Sequence, residues 1–96
     1  MIGLRKLMKN WVWMVSRMVY CNYKMHTDDT VTYAYGQTIS DITGELVFHF
    51  GDNEGIEIIR KPEKHAVIGR QIHSLYGMHR KEFKKGIFKE KIAYEA

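Results

Sequence analysis

The chain has a single cysteine, Cys21, a single proline, Pro62, and no long uninterrupted apolar run. A lone thiol cannot form an intramolecular disulfide, a Cys-x-x-Cys redox pair or a zinc cluster, which places the expectation in a reducing, cytoplasmic setting. The apolar stretch Trp11-Val12-Trp13-Met14-Val15 is cut off by Ser16-Arg17. A membrane span needs about 20 apolar residues, and no small-residue cleavage site follows the basic start. Neither membrane insertion nor export is expected.

Catalytic signatures are equally scarce. None of Ser16, Ser40 and Ser74 sits in a Gly-x-Ser-x-Gly turn, and Cys21 alternates with apolar neighbours as a core thiol would. His73 and His79 are six apart and His65 lies more than two turns before His73, so no histidine pair has the i, i+4 spacing of a helical zinc site. His26 and His49 could join them only through tertiary folding. An enzyme, a metal site, a cofactor and a small-molecule ligand are all outside the expectation.

What is present is a globular composition, 45% hydrophobic and 27% charged, in a length that suits one domain. The net charge of +4 is laid out in blocks. Residues 1–25 carry five cations and no acid, residues 26–59 seven acids and no Lys or Arg, and residues 60–96 ten cations against four acids.

Periodicity divides the chain further. Leu4, Leu7, Met8, Trp11 and Met18 recur at helical steps opposite Arg5, Lys6 and Lys9, which predicts an amphipathic helix over 1–17; Trp11-Val12-Trp13 supports a competing strand over 11–16. From Met18 the period becomes two. Val19, Cys21, Tyr23 and Met25 share one face, and Val31, Tyr33 and Tyr35 follow a short polar tetrapeptide, so the pair reads as a hairpin. Two more strands carry Leu46, Phe48 and Phe50, then Ile56 and Ile58. These place an antiparallel sheet over 18–60.

The acidic pentapeptide Gly51-Asp52-Asn53-Glu54-Gly55 lies between those last two strands. It lacks the ligand spacing of a calcium loop, and it leads into a strand rather than the helix N-terminus that a phosphate loop needs. It reads as a hairpin turn whose glycines and asparagine supply positive φ.

Pro62 suits the first turn of a helix, and Ile68, Ile72, Leu75, Tyr76, His79 and Phe83 form one stripe, which predicts a helix over 62–85 ending at Gly86. Gly69 and Gly77 inside it point either to a closely approaching backbone or to a break near Tyr76-Gly77. Phe88, Ile92 and Tyr94 then alternate in a short strand over 87–94. The expected fold is α+β: an antiparallel meander of four to five strands, one long helix on one face, and an N-terminal helix.

Two functions fit. A non-catalytic protein-interaction module, self-associating or adapting to a protein partner, follows from strand faces that mix Val47, Ala34 and Ile59 with polar residues. The alternative is weak nucleic-acid binding through the basic cluster Arg80, Lys81, Lys84, Lys85, Lys89 and Lys91. No DNA- or RNA-reader motif accompanies that cluster.

Overall fold

The computed structural model describes residues 18–67 and 69–95. The N-terminal helix expected over 1–17 lies outside them, as does Ile68. The elements are β1 (Val19–His26), β2 (Thr30–Gly36), a 3-10 turn (Ile39–Asp41), β3 (Gly44–His49), β4 (Gly55–Arg60), α1 (Gly69–Lys84) and β5 (Lys91–Tyr94). The five strands form one antiparallel sheet in the order β4-β3-β2-β1-β5. The meander is therefore as expected, and the last strand closes it by pairing with the first.

Period-two alternation sets the register. Cys21 pairs with Tyr35, Tyr23 with Tyr33, and Tyr33 in turn with Leu46, so the apolar residues of neighbouring strands fall on one face. Helix α1 covers that face with Ile72, Leu75 and Phe83, which are buried with Val19, Val31, Phe48, Phe50 and Ile92, while Tyr76 packs against this core partly buried. Phe83 sits at its centre, with the rings of Tyr33, Phe48, Phe50, Tyr76, His79 and Phe88 all 5.6–6.2 Å from its own. Such aromatic pairs add about 0.5–1.5 kcal/mol beyond area burial.

Two bulges correct the simple alternation. The β1–β2 register shifts between Tyr23 and Met25, so Met25 pairs with Thr32 instead of following Tyr23 inward, and it is 55% exposed. The same shift brings His26 opposite Val31, where its ring stacks on Phe88 at 4.4 Å. In β4 the extra residue is Ile59, because Leu46 pairs with Ile58 while Glu45 pairs with Arg60.

The helix begins at Gly69, not at Pro62. Asp41, 1% exposed, reaches across from the 3-10 turn and accepts the amides of Lys64 (3.0 Å) and His65 (3.1 Å), while Thr43 Oγ1 accepts the amide of Glu63 (2.8 Å). With these donors held by side chains, the segment after Pro62 runs as an irregular connection. Burial would raise the Asp41 carboxyl, but hydrogen bonds from Thr43 and from those two amides outweigh it and hold the group below the usual range.

The other end is as expected. Gly86 takes a φ of 77° just past the helix, its amide bonds to Phe83 O, and the amide of Ile87 bonds to Glu82 O, the paired pattern of a Schellman cap.

Gly77 does not break the helix, since α1 runs through it, and among the described residues a Cβ placed there meets nothing within 4 Å. Gly77→Ala is therefore expected to stabilise the fold by about 1 kcal/mol, measured as a higher urea midpoint at unchanged slope. A lower midpoint would mean that the glycine serves a contact this structure does not contain.

Candidate functional site

Because α1 takes one face of the sheet, the alternate residues of every strand form a second face that no described element covers. Its rows follow from the register. One runs Lys91, Asn22, Ala34, Glu45, Arg60 across all five strands, and the next runs Met25, Thr32, Val47, Glu57. Ala34 and Val47 are half-buried at the middle of these rows.

Charges of both signs neutralise one another around this centre. Lys24 Nζ donates to Glu45 Oε1 at 2.7 Å, Arg60 approaches the same carboxylate at 3.7 Å, and His49 Nε2 lies 3.0 Å from Glu57 Oε1. The hydrogen bond from Lys24 holds the Glu45 carboxyl below its ordinary range against the opposing effect of burial. At one corner, a groove of about 270 Å³ is lined by Tyr20, Asn22, Ile39, Ile42 and Ala93, with Ile39 itself 77% exposed. Ile59, at the β4 bulge, is 49% exposed.

The basic cluster singled out from sequence does not stand as one free patch. Arg80 bonds to both carboxylate oxygens of Glu54, Nη2 at 3.0 Å from Oε2. Lys84 Nζ donates to the carbonyl of Phe50 at 2.8 Å and lies 3.7 Å from Glu54, and Lys89 pairs with Glu82 at 3.5 Å. The side-chain ammonium groups of Lys81, Lys85 and Lys91 have no ion-pair or hydrogen-bond partner among the described residues. Half of the cluster thus stands apart from acids.

Glu54 belongs to the Gly51–Gly55 turn, so the acidic loop of β3–β4 clasps the basic helix. None of its residues adopts a positive φ, contrary to the sequence expectation. Gly51 is small for a different reason: a Cβ there would lie 2.8 Å from the Cβ of Asp29. The Tyr76 hydroxyl completes the clasp, donating to Glu54 Oε1 at 2.6 Å. Complementary charge in residues 26–59 and 60–96 is the sequence signal for such a clasp, but it does not say which acid meets which base.

The histidines are dispersed in role. His26 Nδ1 bonds the Tyr23 hydroxyl, His49 pairs with Glu57 and His79 with Glu82, while His65 and His73 are exposed. Among the described residues, no three His, Cys, Asp or Glu side chains converge as metal ligands would. Cys21 lies in the core, where burial pushes its thiol up to about 12, so it stays protonated. No helix among the described residues is long and apolar enough to cross a membrane. No protein-family model, curated protein or solved structure matches the chain.

The clasp has a pH signature. Hydrogen bonds from Arg80 and then Tyr76 lower the Glu54 carboxyl from 4.5 to about 2. A carboxyl depressed in the folded state stabilises the fold fully above its ordinary range and loses that contribution as pH falls from about 4.5 toward about 2. Glu54→Gln should therefore lower the thermal midpoint at pH 7 and flatten its decline between pH 4.5 and pH 2 relative to the parent. Parallel curves for the two proteins would rule out a folded-state ion pair at Glu54.

Proposed function

We propose that the protein is a small non-catalytic interaction module that self-associates through the open face of its sheet. The observation that carries this reading is the combination, on a face that no described element covers, of an apolar middle at Ala34 and Val47 with a rim where Lys24 and Arg60 meet Glu45 and His49 bonds Glu57. A two-fold interface brings one patch against itself, so it favours a patch that carries both signs in balance. Apolar centres with polar rims are the usual anatomy of protein interfaces. The exposed Ile39 and Ile59 extend the apolar area toward two corners of the same sheet.

Nucleic-acid contact, the other expectation from sequence, has less support. Arg80, Lys84 and Lys89 are engaged by Glu54 and Glu82, which leaves Lys81, Lys85 and Lys91 to meet phosphates. The loop acid Glu54 that clasps α1 also weakens the field a phosphate backbone would meet.

Self-association is tested by sedimentation velocity of the full chain from low to high micromolar concentration. The expected outcome is a concentration-dependent shift from monomer to dimer. Val47→Lys, which places a charge at the centre of the face, should weaken dimerisation by about tenfold or more, a cost of about 1.4 kcal/mol, while leaving the urea midpoint within the range of ordinary surface changes. A strict monomer at high micromolar concentration contradicts the reading.

A further inference from the structure

On the opposite side of the sheet, a cavity of about 320 Å³ opens between β4 and the start of α1, lined by Tyr35, Ile56, Ile58, Val67 and Ile72 with Lys61 and His73. Its depth and rim differ in chemistry. Tyr35 and Ile72 are buried at the bottom, whereas Lys61 and His73 are exposed at the mouth. No acidic residue lines it, and neither Lys61 nor His73 has an ion-pair partner among the described residues.

Tyr35 is what makes the cavity more than a surface dent. Its side chain is 2% exposed, and its ring is wedged so tightly that a Cβ on Gly44 would come within 2.7 Å of it. The other tyrosines of this layer have partners for their hydroxyls: Tyr33 donates to Lys89 O at 2.8 Å and Tyr76 to Glu54. The Tyr35 hydroxyl has no hydrogen-bond partner among the described residues. Since no fully sealed side-chain oxygen is left without a partner, the slight exposure of Tyr35 includes this hydroxyl, at the cavity it lines. The hydroxyl is therefore free to exchange a hydrogen bond with a molecule held in the cavity.

The geometry points to a binding site for a small aryl carboxylate that carries a polar group at the end opposite the carboxylate. The ring packs on Ile56, Ile58 and Ile72, the carboxylate meets Lys61 and His73 at the mouth, and the far polar group exchanges a hydrogen bond with Tyr35. The volume falls at the small end of the range for ligand pockets, which suits a single ring. The lining has the usual composition of such pockets, mostly apolar with a few convergent polar groups. This site lies on the helix side of the sheet and does not rest on the self-association reading.

The test is a nuclear magnetic resonance titration of the full chain with 4-hydroxyphenylacetate, phenylacetate and the neutral 4-hydroxyphenylethanol. With 4-hydroxyphenylacetate, shifts should saturate at Ile56, Val67, Gly69 and Ile72 and be absent at Ala34 and Val47. Lys61→Gln should weaken both carboxylates by about tenfold, the scale of one charge-assisted hydrogen bond, and leave 4-hydroxyphenylethanol unchanged. Tyr35→Phe should weaken 4-hydroxyphenylacetate toward phenylacetate while the fold keeps its urea midpoint, because the hydroxyl it removes has no partner to lose. Shifts absent up to millimolar 4-hydroxyphenylacetate, or binding indifferent to both Lys61→Gln and Tyr35→Phe, would overturn the proposal.

Discussion

The structure depends on the burial of Phe83 among six other rings. Sheet and helix come from distant parts of the sequence, and the aromatic layer between them is what holds the two at one spacing and one angle. Tyr33 and Phe48 reach it from the middle strands, Phe50 from the end of β3, Phe88 from the segment after the helix, and Tyr76 and His79 from the helix itself. Once that layer is formed, β5 can return beside β1, where Tyr23 donates its amide to Glu90 O and Tyr33 its hydroxyl to Lys89 O. That layer seals one face of the sheet, and no described element covers the other.

Polar side chains then fix what the aromatic layer leaves undetermined. Asp41 and Thr43 take up the amides that follow Pro62 and so decide where α1 begins. Glu54 holds the β3–β4 turn against Arg80, Tyr76 and Lys84, and so decides how the far half of the helix lies against the loop. Both acids lie in loops, and both act on the basic part of the chain. The block layout of charge thereby has a structural use: the acidic middle segment neutralises part of the basic end within the same domain.

Four strands and the helix were legible from their periods, two for the strands and 3.6 for Ile72, Leu75, Tyr76, His79 and Phe83; the fifth strand, expected over 87–94, is only Lys91–Tyr94, because Phe88 turns to pack on Phe83 before the pairing with β1 begins. The bulges at Lys24 and Ile59 were not, since an extra residue changes no local pattern and is decided by what the partner strand offers. Nor was the start of the helix: Pro62 and Glu63 carry a valid helix signal, and it was overridden by Asp41, more than twenty residues earlier. The turn at Gly51–Gly55 was read correctly as a connection, but its acid does more than turn the chain. Of the cationic cluster, sequence located the residues and could not show that Glu54 and Glu82 engage half of them. The Tyr35 cavity was invisible because its lining comes from separate parts of the chain, Tyr35 of β2, Ile56 and Ile58 of β4 and Ile72 of α1, which only the tertiary fold brings together.

In the proposed dimer, two copies meet through the sheet face away from α1. That contact is tested most directly by following backbone and methyl resonances through a dilution series of the full chain. Concentration-dependent shifts are expected at Thr32, Ala34 and Val47, with Leu75 and Phe83 unmoved. Shifts confined to the exposed side of α1, or resonances indifferent to concentration up to the millimolar range, would contradict it.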